Sequence, residues 1–136
     1  MIYVLSDIHG DMDAFDSILS QIQLSEDDHL YIIGDVVDRG PHSIELIQRI
    51  RTMRNTTMTL GNHEYMMIHR LRYPGNWEYK RLWYRNGGSD TEAAFEKLTK
   101  DEQEEVLQYM EGLPVQVAVS VNGALYVLVH ARPKED

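Results

Sequence analysis

The sequence predicts an α/β fold, a parallel sheet covered by helices, on three observations. Apolar runs of strand length recur at residues 2–5, 29–33 and 56–60, and each is followed by a helical apolar stripe. Each run also stops at a polar, glycine-containing cluster: SDIHGD, GDVVDRG and GNHE. Strand, loop and helix in repetition is the pattern of βαβ units, whose parallel sheet needs helices to cover it.

The elements follow in order. IYVL reads as a short buried strand, and residues 11–23 carry Phe15, Ile18, Leu19 and Ile22 on one helical stripe. HLYII is a second buried strand. Pro41 can open the next helix, whose inward face holds Ile44, Ile47 and Ile50. TTMTL is a third strand, with a helix from about Glu64 to Leu71 after GNHE. Residues 74–88 read as irregular, rich in Trp and Tyr, and end in RNGGSD. Ser89 with Glu92, and Thr99 with Glu102, have capping-box spacing, so two short helices are expected, the second stopped by Gly112 and Pro114. PVQVAVSVNGALYVLVH then reads as a hairpin turning at Asn122-Gly123, its last strand delivering His130.

The bulk numbers bound the function. A length of 136 residues, 43% hydrophobic and 26% charged, is that of one globular domain, assigned here to 1–136. The absence of cysteine removes disulfides, thiolate metal sites and cysteine nucleophiles, and fits a reducing compartment, with the cytoplasm as the expectation. A net charge of −9 argues against a general nucleic-acid binder, which neutralises many phosphates with Lys and Arg. No apolar run approaches membrane-spanning length and no basic leader opens the chain, so neither insertion nor export is expected.

In open α/β sheets, ligands gather beyond the carboxyl ends of the strands. Collected there are Asp7, His9, Asp35, Asp38, Arg39, Asn62, His63 and His130. Carboxylate, imidazole and amide oxygen without thiolate form a donor set for divalent manganese, iron or zinc. Asp7 and His9 share a face if their segment is extended, forming a pincer. Each fragment alone has an ordinary explanation: a turn at D-x-H, a surface ion pair in GDVVDRG, a helix start capped by Asn62 in GNHE. Their common position after successive strands argues for one site.

As a set, SDIHGD, GDVVDRG, GNHE and VHA resemble the calcineurin-like metallophosphoesterases, serine/threonine phosphoprotein phosphatase type. WYRNGGSDT, residues 83–91, is similar to the W-x-x-NGG segment of bacterial and phage members, which include diadenosine tetraphosphate hydrolases. The resemblance implies a β-sandwich flanked by helices. It also implies an incomplete second sheet here, because the family's later strands, second arginine and G-H motif do not precede Asp136. It makes Asp7 and His9 ligands of a first metal, Asp35 the bridge, and Asn62 and His130 ligands of a second, with manganese the leading expectation. His63 becomes the proton donor to the leaving oxygen, Asp38 its orienting carboxylate, and Arg39 the phosphate clamp.

What this implies is hydrolysis of phosphomonoesters, with phosphoserine or phosphothreonine in proteins as substrate. Two alternatives stand beside it: a dinucleoside polyphosphate hydrolase with the same core, and a metal-binding or interaction module without turnover. Retention of His63, Asp38 and Arg39 opposes the last. His29, His42 and His69 are expected to be structural or exposed, Met66, Met67 and Ile68 to pack a helix, Glu102 to Glu105 to face solvent, and Arg132 to lie on the surface. The Trp77–Trp83 segment is expected either to line a groove or to pack.

Overall fold

The computed structural model describes residues 1–130. Arg132 and the last residue of the VHA block, Ala131, lie outside them. The order is β1 (Ile2–Leu5), α1 (Met12–Ile22), β2 (His29–Ile33), α2 (Ser43–Thr52), β3 (Thr56–Thr59), α3 (Asn62–Arg72), α4 (Trp77–Arg85), α5 (Ser89–Glu96), α6 (Lys100–Glu111), β4 (Gln116–Val121) and β5 (Ala124–Val129). The α/β class therefore holds, with a parallel sheet and a small second sheet.

The first three strands form one parallel sheet in the order β1-β2-β3. The central strand is the most deeply placed, and its Leu30 and Ile32 are wholly buried, as expected of a strand flanked on both edges and covered by helices. Phe15 of α1, Leu46 and Ile47 of α2, Met67 of α3 and Met110 of α6 complete the same core. No helix among the described residues is long and apolar enough to cross a membrane.

β4 and β5 form a separate antiparallel pair in which Val121 faces Ala124. Asn122 and Gly123 both take positive φ, 51° and 81°, the backbone a two-residue hairpin turn needs to match strand twist. β5 leaves Leu125, Tyr126, Val127 and Val129 exposed. Between β1 and the hairpin runs an open groove of about 790 Å³, lined by Ile2, Val4, Val119, Val121, Tyr126 and Leu128 among others.

Several boundaries differ from the sequence expectation, each for a local reason. Residues 77–85 are helical, not irregular: the Asn76 side chain caps α4 by accepting from the Tyr79 N–H. Trp83 is the only buried residue of α4, while Trp77, Leu82 and Tyr84 stay exposed. Pro41 stands before α2 instead of opening it, because the following His42 N–H is bound to the Gly10 carbonyl and the Ser43 hydroxyl accepts from the Asp38 N–H. Ser89 does not cap α5; Gly88 holds that position, and Glu92 is buried against Arg70 and the Tyr84 hydroxyl. The Thr99–Glu102 box forms as expected, each side chain accepting the other residue's N–H.

Candidate metal centre

Three loops leave the carboxyl ends of β1, β2 and β3, and the first two are stitched together through their backbones. The N–H groups of Asp7, His9 and Gly10 donate to the carbonyls of Gly34, Asp35 and Val36. Such close approach requires glycine. A Cβ on Gly34 would lie 2.5 Å from the Gly61 Cα, and one on Gly10 would lie 2.6 Å from the Gly40 carbonyl oxygen.

A buried carboxylate ties the β2 and β3 loops together from below. Glu64, 0% exposed, accepts four backbone N–H groups: Asp35 (2.7 Å) and Gly61 (3.1 Å) on Oε1, Val36 (3.0 Å) and Val37 (3.2 Å) on Oε2. Burial pushes its carboxyl up to about 7 against the pull of these donors, and the nearby charge of Asp35 adds to the rise. A glutamate at the start of a helix reads from sequence as a charge suited to the positive helix end, and that reading gives no hint of this anchoring. The signal was a glutamate three residues after Gly61, which reaches back to the Gly61 N–H.

The loops are held in an uncommon backbone state. Asp7, His9, Asp35, Asp38 and Arg39 all have positive φ, between 45° and 77°. Non-glycine residues pay for this conformation, and they persist in it only where packing over-determines the chain. The extended segment expected at Asp7 to His9 is thus corrected: both residues are left-handed. Asp7 Oδ1 nevertheless comes within 3.7 Å of His9 Nε2.

Three histidines are fastened in the same way. Nδ1 of His9 lies 3.0 Å from the Val37 carbonyl, Nδ1 of His130 lies 2.9 Å from the Ile33 carbonyl, and Nδ1 of His63 lies 2.7 Å from Asp38 Oδ2. A carbonyl can only accept, so Nδ1 of His9 and of His130 carries the proton and Nε2 is left free for the site. His130 Nε2 then stands 2.7 Å from Asp35 Oδ2. A lone pair facing a carboxylate at that distance requires a positive charge, either a proton on Nε2 or a cation. The arrangement of an anchored imidazole beside a buried carboxylate is one that suits a divalent ion.

Among the described residues two donor groups share Asp35: His9 with Asp35 and His63, and Asp7 with Asp35 and His130, each with its ligand atoms within 4.8 Å of one another. His9 and His63 meet edge to face, ring centroids 4.7 Å apart. Asn62, an amide and so of a different donor type, is exposed at the first position of α3, which it begins but does not cap; Gly61 does. Arg39 is exposed, its stem beside Gly87.

Asp38 is completely buried and accepts a second hydrogen bond on the same oxygen as His63, from the Trp83 indole at 2.7 Å. Burial alone would push the His63 imidazolium down. The Asp38 hydrogen bond and the charges of Asp35 and Asp38 together outweigh it, so His63 sits above its ordinary value. The remaining histidines lie apart from this cluster: His29 bonds the Thr57 hydroxyl, His42 faces Glu45, and His69 bonds the Tyr65 carbonyl.

Residues 1–133 match the family model described as calcineurin-like phosphoesterase. Serine/threonine-protein phosphatase 2 of Salmonella typhimurium is 31% identical over 137 residues, 99% of this chain and 60% of that protein. A symmetrical bis(5'-nucleosyl)-tetraphosphatase of Acidovorax ebreus is 30% identical over 132 residues, 96% of this chain and 43% of that protein. The chain thus spans about half the length of these relatives. Among solved structures, a metallophosphoesterase from Sphaerobacter thermophilus superposes with a TM-score of 0.59 at 24% identity, covering 85% of this chain and 42% of that one. A likeness this distant speaks for the fold alone.

Proposed function

The chain belongs to the calcineurin-like phosphoesterase family, and from that premise we propose that it serves the hydrolysis of phosphomonoesters by a two-metal site, with phosphoserine or phosphothreonine in proteins as the substrate. The observation that carries this reading is the anchoring of His9, His63 and His130 by Nδ1 around a shared, buried Asp35.

Asp7, His9 and Asp35 would hold one divalent ion and Asp35, Asn62 and His130 a second, manganese by preference, with iron or zinc also matched by the donor types. When bound, such ions supply positive charge for phosphate oxygens and lower the pKa of water near neutrality. The chain's own residues do the rest. His63 Nε2 faces the site and gives a proton to the leaving oxygen, while Asp38 holds the ring through Nδ1 and favours its charged form. Arg39 receives two phosphate oxygens in its planar fork. A cytoplasmic setting suits a chain without cysteine.

A second reading, hydrolysis of dinucleoside polyphosphates, draws on the relative named as a bis(5'-nucleosyl)-tetraphosphatase. It uses the same residues and differs in what lies beyond the phosphate.

The test is hydrolysis of a phosphoserine peptide and of diadenosine tetraphosphate by this chain with manganese, with chelator, and in His63→Ala and Asp35→Asn. We expect metal-dependent turnover that His63→Ala lowers by about 10²- to 10⁴-fold, the usual yield of a positioned acid. The faster of the two substrates identifies the class. Turnover unchanged by both substitutions places the chemistry elsewhere, and manganese binding without turnover identifies a non-catalytic module.

A further inference from the structure

We propose that Trp83 is a positioning residue for the reaction, its indole N–H fixing the Asp38 carboxylate that in turn orients His63. The inference rests on the reading of His63 as proton donor.

Asp38 Oδ2 accepts from two buried groups at the same distance, His63 Nδ1 and Trp83 Nε1, each 2.7 Å away. The other oxygen, Oδ1, has no hydrogen-bond partner among the described residues. With His63 alone, the carboxylate could turn about its Cβ–Cγ bond and present either oxygen, taking the imidazole plane with it. The indole removes that freedom, because its N–H comes from a ring locked in the core. A buried indole N–H needs an acceptor, and the acceptor it finds here is the carboxylate that also holds His63.

The helix that carries Trp83 supports the same conclusion. Trp83 is the one fully buried side chain of α4, and its indole ends at the group that holds His63. The chain after it is shaped around this contact. Gly88 donates its N–H to the Trp83 carbonyl, and a Cβ at Gly88 would lie 2.4 Å from three atoms of the indole. Gly87, at φ +97°, lies beside the Arg39 stem, where a Cβ would come within 3.1 Å of Cγ. The W-x-x-N-G-G segment thus passes both Asp38 and Arg39, and each glycine leaves room for one of the groups concerned.

The first test uses proton exchange in the ¹⁵N-labelled chain. The two indole N–H groups provide their own comparison, since Trp77 is 65% exposed and Trp83 is 0% exposed. We expect the Trp83 indole proton to exchange at least about 100-fold more slowly than that of Trp77, as a bonded core group does. In Trp83→Phe, the His63 Nδ1 proton should lose its protection. A Trp83 proton exchanging as fast as that of Trp77, or a His63 proton unaffected by the substitution, overturns the proposal. A fast-exchanging Trp83 proton in the wild type overturns the proposal even if the variant does not fold.

The second test is leaving-group dependence. Trp83→Phe should lower turnover of phenyl phosphate by about tenfold, the lower end of what loss of an orienting partner costs. On 2,4-dinitrophenyl phosphate, whose leaving group needs no acid, the loss should stay within about twofold. Equal losses on both esters indicate general loosening and overturn the proposal. His63→Ala run in parallel keeps the two ideas separate: if it shows no leaving-group preference, the proton-donor reading fails, whereas the exchange data report on Trp83 independently.

Discussion

Replacing Glu64 by Gln tests the idea that one buried carboxylate joins the loops after β2 and β3. The change is nearly isosteric, so no cavity is opened. The carboxylate accepts four N–H groups, two on each oxygen. The amide keeps one acceptor oxygen in either orientation, so two of the four bonds survive and its NH₂ faces the other two donors. A buried donor left without a partner costs about 1–3 kcal/mol, which puts the loss at roughly 2–6 kcal/mol, a large fraction of an ordinary domain's stability. The assay is urea unfolding at pH 8, above the value to which burial pushes the group, where the wild-type carboxylate is ionised. A loss below about 1 kcal/mol would show that the loops hold their shape without Glu64, and the account of the site's backbone given above would be wrong.

Further predictions concern the metal, a cap and a surface network. His130→Ala should weaken manganese binding, read by calorimetry, by at least about tenfold; an unchanged affinity removes His130 from the site. Thr99→Ala should cost about 1 kcal/mol in denaturant unfolding without changing turnover, since Thr99 caps α6 away from the metal centre; a stability equal to wild type refutes the cap. The Arg72 guanidinium, bonded to Glu104 and Glu111, holds the Glu104 carboxyl below its usual value. A depressed carboxylate contributes stability above its unfolded value of 4.5 and loses it as pH falls through the lower folded value. The Tm difference between wild type and Arg72→Ala should therefore shrink on acidification and in high salt; a difference constant from neutral pH to about pH 3 contradicts the assignment.

The sheet and its polar ends were legible because their signals are local. A β-rich apolar run that stops at glycine is visible in letters alone, as is an Asn-Gly pair between alternating strands. The eight candidate residues could be collected because βαβ topology brings strand ends together whatever lies between them. What escaped was encoded at a distance. The role proposed for Trp83 exists only against Asp38, 45 positions earlier. Glu64 looked like a helix-end charge because three of its four donors belong to another loop, 27 to 29 positions away. The left-handed backbone at Asp7 and His9 was hidden for a simpler reason: aspartate and histidine do not announce φ as glycine does.

That backbone separates the signature from the site. A peptide copied from residues 31–41 would carry every letter of GDVVDRG yet relax out of the conformation that Asp35, Asp38 and Arg39 share, since nothing in those letters prefers it. The geometry belongs to the packed loops and to the carboxylate beneath them. Motif and function can therefore part company in evolution: a descendant that lost Glu64 could keep a flawless GDVVDRG and hold its candidate ligands out of register, while one that altered such a residue over intact loops would keep a mould ready for a different ion.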